Sequence, residues 1–435
     1  MKVKKDRVKL ITLGCSKNLV DSEFILAQLG SNDIVIVEDG EKCDTVIINT
    51  CGFIEAAKKE SIDEILKAAE NKNRGQIKNL FVAGCLSDRY KKELKKEIPE
   101  VDKYFGATDK QPTVLSILKE LGVDYKKNLL GERMLTTPSH FAYLKISEGC
   151  DNPCSFCAIP IMRGGHKSKP LKEILIETQK LASKGVKELI LIGQDTTYWG
   201  LDINGKRNIA NLINEISEIN GIEWIRLMYA YPSKFPMELI NVIKDNEKVC
   251  KYIDIPIQHI SDNVLKSMRR GITGRNLKNL LFNLREQIPG IAIRTTLLTG
   301  YPDETEKDFS ELLEFVKKFR FDRLGVFTYS HEEGTYAFVL KDSIPQKEKL
   351  KRQKILLDEQ MKISAELNKE SVNKVFKVII DRVENDYYIG RTYKDAPEID
   401  NEVYIEKNKK LKQGEFYSVN IYDSEDYDIF GKCLK

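Results

Sequence analysis

Three cysteines at C-x3-C-x2-C spacing, Cys150, Cys154 and Cys157, are the residues best placed to do chemistry in this chain. They lie in Ser147-Glu148-Gly149-Cys150-Asp151-Asn152-Pro153-Cys154-Ser155-Phe156-Cys157, just after an apolar run at 141–146 that reads as a strand. A loop this tight can bring three thiolates onto one small inorganic centre. It offers three ligands where a closed tetrahedral zinc site or an ordinary four-iron cluster takes four. An open metal position points to chemistry rather than scaffolding. A zinc site is the competing reading, with His166 beyond the loop as its fourth ligand.

A second set is spread over the first third of the chain. Cys15, Cys51 and Cys85 each stand where an apolar run (8–14, 45–50, 80–84) gives way to a helical pattern (21–29, 54–70, 88–97). Near-continuous apolar strands alternating with helices predict a parallel sheet covered on both faces. The carboxyl ends of the strands in such sheets form the ligand-binding edge. Thiols 36 and 34 residues apart in sequence can converge there. One such cysteine alone reads as a small buried residue, whereas the threefold repetition favours a shared metal site. Cys43, Cys250 and Cys433 have no such context and are read as structural. His140, His259 and His331 lack ligand spacing and read as hydrogen-bonded loop or core histidines.

The elements that must position these cysteines follow from the patterning. Residues 122–139 are mixed and turn-rich and mark a domain boundary. Beyond them, strands are predicted at 141–147, 188–193, 224–230, 252–258, 291–299 and 323–329. Helical patterns lie between, at 171–183, 209–219, 237–245, 276–287 and 306–319. Six βα units fit a partial TIM-like barrel, whose chemistry sits on loops at the C-terminal ends of its strands. The three-cysteine loop follows the first of these strands. Residues 346–373 predict a charged connecting helix packed along that barrel. The tail holds four short β patterns (376–383, 386–393, 402–408, 416–422) and predicts a small all-β barrel. The expected fold class is therefore α/β, with an N-terminal parallel-sheet domain over 1–125, a (βα)6 partial barrel over 136–366 and an all-β barrel over 369–435.

Composition narrows the function classes. The 435 residues are 41% hydrophobic and 31% charged, as in ordinary globular proteins. A net charge of +4 gives no basic excess of the kind that points to nucleic acid. The tail, at 12 Lys and Arg against 14 Asp and Glu over 369–435, suits a basic partner better than a phosphate surface. No apolar run approaches the roughly 18–20 residues of a membrane span, and the start turns into a strand rather than a signal peptide. The expectation is a cytoplasmic protein without a membrane partner. Nine cysteines in that compartment, an odd number, read better as metal ligands than as a disulfide framework.

The cysteine triplet after a first barrel strand, with Phe156 before the last Cys, resembles the radical S-adenosylmethionine (SAM) superfamily. There, the open iron of a 4Fe-4S cluster binds the cofactor's amino and carboxylate groups. Gly193-Gln194-Asp195, ending the second strand, occupies the place of the superfamily's Gly-Gly-Glu segment for the methionine amino group. An ordinary βα turn is the alternative for this tripeptide.

The order of all three domains resembles the methylthiotransferases, with a terminal substrate-binding TRAM barrel. That resemblance implies two 4Fe-4S clusters, one on Cys150, Cys154 and Cys157 and one on Cys15, Cys51 and Cys85. It implies SAM as both radical source and methyl donor, and an electron donor such as flavodoxin or ferredoxin. Two substrate branches compete. LGCSKNLVDSE (13–23), NTCGFI (49–54), GCLSDRY (84–90), EGCDNPCSFCAIPIMRG (148–164) and Asp395-Ala-Pro-Glu-Ile-Asp400 look like the branch that modifies an aspartate β-carbon of small-subunit ribosomal protein S-twelve. The other branch modifies an adenosine beside the tRNA anticodon, and typically has Gln-Met-Asn where this chain has Ser16-Lys17-Asn18. Lys169 departs from the family, which commonly carries Arg after Ser168 and so gains a bidentate fork. Outside this family, the remaining reading is a non-catalytic iron–sulfur or zinc protein.

Overall fold

The computed structural model describes residues 6–106, 112–407 and 409–434. Residues 1–5 and 107–111 of the predicted N-terminal domain, Asn408 in the predicted strand 402–408, and Lys435 at the end of the predicted tail domain lie outside them. The chain divides into two compact units, one of residues 1–136, 143–151 and 157–180, the other of 137–142, 152–156 and 181–435.

The first unit holds a five-stranded sheet of β1 (Arg7–Thr12), β2 (Val35–Ile36), β3 (Thr45–Thr50), β4 (Asn79–Gly84) and β5 (Lys103–Tyr104) in the order β2-β1-β3-β4-β5. Every pairing is parallel. Alternation along the strands explains why both faces are covered. Val8, Ile47, Phe81 and Ala83 pack against Ile25 and Leu29 of the helix Ser16–Ser31. Val46, Ile48, Leu80 and Val82 pack with Ile65 and Ala68 of the helix Glu55–Asn73 and Leu94 of the helix Cys85–Glu97. The two-residue strands β2 and β5 are too short to leave a period in the sequence.

In the second unit an open sheet runs β11-β10-β9-β8-β7-β6. These are β6 (Phe141–Lys145, whose first two residues belong to this unit), β7 (Glu188–Ile192), β8 (Trp224–Leu227), β9 (Val249–Asp254), β10 (Ala292–Thr299) and β11 (Arg323–Thr328). From β7 to β11 every neighbouring pair is parallel. Helix Leu171–Ser183, all but its last three residues in the first unit, and helix Glu306–Phe319 of the second form where predicted. The latter starts with a capping box between Thr305 and Asp308 and buries the stripe Phe309, Leu312, Phe315, Val316, Phe319. Strand β9 ends at Asp254 rather than running to 258, because Pro256 has no N–H to give a ladder. It also begins three residues earlier than predicted. The helix Gln346–Lys369 lies along the outer strand, with Gln353 and Gln360 amides donating to the Val326 and Phe321 carbonyls at 2.7 and 2.9 Å.

The tail is a closed barrel, β12-β13-β14-β16-β15, of β12 (Val375–Glu384), β13 (Tyr387–Arg391), β14 (Val403–Glu406), β15 (Phe416–Ser424) and β16 (Ile429–Cys433). Val378, Ile380, Val403, Ile405, Val419 and Ile421 fill it. Strand β16, which the sequence reading lacked, closes the ring. The barrel seats on the beginnings of the sheet strands. Glu188 and Arg226 meet Arg391 and the Tyr393 carbonyl, Arg294 and Tyr252 meet Asp400, and Arg323 meets Asp395. Asp395 and Asp400 of the Asp-Ala-Pro-Glu-Ile-Asp segment are thus the acidic half of that seat.

Candidate active site

Strands β1, β3 and β4 are adjacent and in register, with Thr12 opposite Asn49 and Thr50 opposite Gly84. Their carboxyl ends therefore deliver Cys15, Cys51 and Cys85 to neighbouring positions on one edge. Cys15 caps the helix that follows it, and Cys85 is the first residue of the next. A Cβ on Gly14 would stand 2.6 Å from the Cys51 Cβ, so only glycine lets the first loop lie this close to the second cysteine. Cys15 and Cys85 are near enough to Cys51 for their charges to act on its thiol, which burial pushes up to about 11. Burial also raises the Cys85 thiol, with Arg163 opposing. The Asn18 amide laces the loops together, donating to the Leu13 and Thr50 carbonyls at 2.9 and 3.0 Å.

Arg163, buried at the end of the short helix Ile159–Arg163, belongs to the same unit. Its Nε donates to Cys85 Sγ at 3.1 Å. Nη1 donates to Asp21 (3.0 Å) and Glu148 (3.2 Å), and Nη2 to the Asn18 side-chain oxygen. Lys145 pairs with the same two carboxylates. Asp21, Lys145, Glu148 and Arg163 border a cavity of about 510 Å³ whose apolar wall includes Phe24 and Leu130.

The three-cysteine loop is held separately on its two sides. Gly149 has φ +73°, and a Cβ there would overlap the Gly165 carbonyl, while the Cys150 amide donates to the Gly164 carbonyl at 3.1 Å. In the second unit, Cys154 Sγ lies 3.2 Å from Arg270 Nη1 and 3.4 Å from Tyr231 Oη, and the Arg270 guanidinium stacks on the Tyr231 ring. Ser155 donates to the Ser267 carbonyl at 2.9 Å. Asn152 donates to Asp195 at 2.8 Å, and the other Asp195 oxygen accepts from Thr197 at 2.6 Å. Asp195 and its neighbours Gly193 and Gln194 follow β7, so the tripeptide lies at the carboxyl edge of the sheet and Asp195 fastens the loop. Among the described residues, no group of three His, Cys, Asp or Glu side chains is close enough to hold a single metal ion.

Comparison with known proteins was decisive. Residues 7–106 match the family described as Uncharacterized protein family UPF0004, 144–316 the Radical SAM superfamily and 372–434 the TRAM domain. The ribosomal protein uS12 methylthiotransferase RimO of Chloroherpeton thalassium is 52% identical over 100% of both chains. That of Christiangramia forsetii is 53% identical over 99% of this chain and 95% of its own. The chain belongs to the RimO family of radical SAM methylthiotransferases. Its fold is also similar to the radical SAM methyltransferase TsrM from Kitasatospora setae, with a TM-score of 0.57 at 13% identity over 88% of this chain and 79% of that one.

Within this RimO-family chain, other side chains settle into structural places. Lys169, the departure from the family pattern, pairs with buried Glu177, which Arg133 also holds at 2.9 Å. Arg133 reaches Glu23 as well. His166 Nε2 faces Ser168 Oγ at 3.2 Å, and His140 Nε2 lies 2.8 Å from Asp381. Cys250 and Cys433 are buried and Cys43 is half-buried. Sequence reading missed Arg163, Arg270 and Tyr231 beside the cysteines. Arg163 was visible as the basic residue shortly after Cys157, but nothing in one sequence joins it to Cys85.

Proposed function

We propose that this chain places a methylthio group on the β-carbon of an aspartate in ribosomal protein uS12 of the small subunit. The observation that carries this is the end-to-end identity of 52% to a RimO over the full length of both proteins. Cys15, Cys51 and Cys85 would hold one 4Fe-4S cluster, and Cys150, Cys154 and Cys157 a second with an open iron for SAM. The donor chemistry supports this. Each set is made of thiols alone, three from neighbouring strand ends and three from one loop, and an N–H donor points at a sulfur in each. Gly193, Gln194 and Asp195 would receive the methionine end of SAM.

Clusters and SAM held at these residues would supply the one-electron chemistry needed to open an unactivated C–H bond and the methylthio group that replaces the hydrogen, which acid–base side chains cannot do. The protein's part is placement. Asn152 and Asp195 fix the loop between Cys150 and Cys154, and Tyr231 and Arg270 fix Cys154. Asn18 fastens the first strand end to the second beside Cys51. Burial holds the Cys51 and Cys85 thiols protonated until a metal displaces the proton. No helix among the described residues is long and apolar enough to cross a membrane. A cytoplasmic location, with flavodoxin or ferredoxin as electron donor, fits a ribosomal substrate.

Anaerobically reconstituted enzyme, incubated separately with uS12 and with tRNA, tests the proposal by mass spectrometry. One added methylthio group on an aspartate of uS12 is expected. Modified tRNA with unchanged uS12 would assign the chain to the tRNA reading instead.

A further inference from the structure

We infer that Arg163 is a positioning residue that tunes the reduction potential of the cluster on Cys15, Cys51 and Cys85. This rests on the reading that those cysteines hold a cluster. Three observations point to it. Arg163 is 7% exposed, so its donors are spent on the protein rather than on water. Its Nε aims at Cys85 Sγ from 3.1 Å, a sulfur the same reading makes a cluster ligand. Its two other nitrogens are fixed by Asp21, Glu148 and Asn18, so the guanidinium plane cannot turn away.

The charge arrangement separates hydrogen bonding from simple charge. Arg163 and Lys145 together face Asp21 and Glu148, so this group of four is neutral overall. Its influence on the cluster then comes mainly from the directed N–H···S bond. Such a bond draws electron density from the thiolate and favours the reduced, more negative cluster, which raises its potential. Arg163 also lies six residues after Cys157, on the helix that directly follows the three-cysteine loop. One side chain is therefore joined through the backbone to one cysteine set and through a hydrogen bond to the other.

The test uses full-length protein in which Cys150, Cys154 and Cys157 are all replaced by Ala, leaving one cluster to observe. Its midpoint potential is read by an EPR-monitored redox titration after iron and sulfide analysis. In that background, Arg163→Lys keeps the charge and loses the fork. The expected result is unchanged iron with a potential lowered by about 59 mV, a tenfold change in the one-electron equilibrium. Asp21→Asn should shift it the opposite way, because it leaves the arginine and its bond in place and one positive charge uncompensated. Mere loosening of the fold would not give opposite shifts. An unchanged potential in both variants, shifts of the same sign, or loss of iron only in Arg163→Lys would overturn the tuning role. Absence of iron from the parent triple variant would instead overturn the cluster reading beneath it.

Discussion

Glu188 and Arg391 meet at 2.8 Å with almost no solvent exposure, one at the start of strand β7 and the other in the terminal barrel. Arg226 holds the same glutamate at 2.8 Å, and Asp381 holds the same arginine at 2.6 Å. The glutamate stays ionised although wholly buried, because the two guanidiniums hold its carboxyl below the usual range against the cost of burial. Removing one partner from such a network leaves a buried charge unmatched. Arg391→Met should therefore destabilise the protein by about 3–5 kcal/mol in urea denaturation. Glu415→Gln, which breaks the exposed Lys187–Glu415 pair of the same seat, should cost less than about 1 kcal/mol. Equal losses from the two variants would mean that the buried network is not what fastens the barrel.

A pH dependence follows from His259. The ring is buried, its Nδ1 accepts from the Ser261 amide at 3.0 Å, and the charged groups acting on it are Asp308 and Arg352. Burial lowers its pKa from 6.5 to about 4. Between those values the unfolded chain binds the proton and the native protein does not, so stability rises with pH through this window. The contribution is complete above pH 6.5 and is lost as pH falls toward 4, by about 3 kcal/mol. His259→Gln should be less sensitive than the parent between pH 7 and pH 4.5, and parallel denaturation curves for the two proteins would refute the assignment.

The two cysteine sets should fail in different ways. Cys154→Ala should abolish SAM cleavage, measured as release of deoxyadenosine and methionine. Cys51→Ala should leave part of that cleavage and stop sulfur insertion into uS12. Identical behaviour of the two would count against a division of labour between the sets.

Gly149→Ala should reproduce the first of these failures without touching a ligand. Its backbone sits at φ +73°, and the new methyl would press on the Gly165 carbonyl. Iron analysis should fall from about eight to roughly four per chain, the content of a single remaining cluster. Full iron content and normal cleavage would show that the loop absorbs the methyl.

What could be read in the sequence was whatever repeats or lies close along the chain. Cys150, Cys154 and Cys157 announce themselves by spacing, and Cys15, Cys51 and Cys85 by standing at three similar strand ends. The helix Leu171–Ser183 emerged with its bounds because Leu171, Ile174, Leu175 and Leu181 keep helical spacing across it. Contacts between distant residues left no trace. Arg163 and Cys85 are 78 residues apart, and Arg133 and Glu23 are 110 apart. Strand β16 contains Gly431 and Lys432 and leaves only a weak alternation, so the barrel was short of its closing strand. The segment Asp395 to Asp400 was readable as a family marker, but its seat on Arg294, Arg323 and Tyr252 became visible only in three dimensions.

That seat carries a consequence for how the enzyme can diversify. The barrel grips the beginnings of the strands, whereas Cys154, Asp195 and Arg270 cluster beyond their ends, roughly 20 Å away for strands of this length. Substitutions on the outer face of the barrel can therefore accumulate without shifting an atom around Cys154. Seat and cysteine loop occupy opposite poles of the same strands, and each is free to drift while the other is kept.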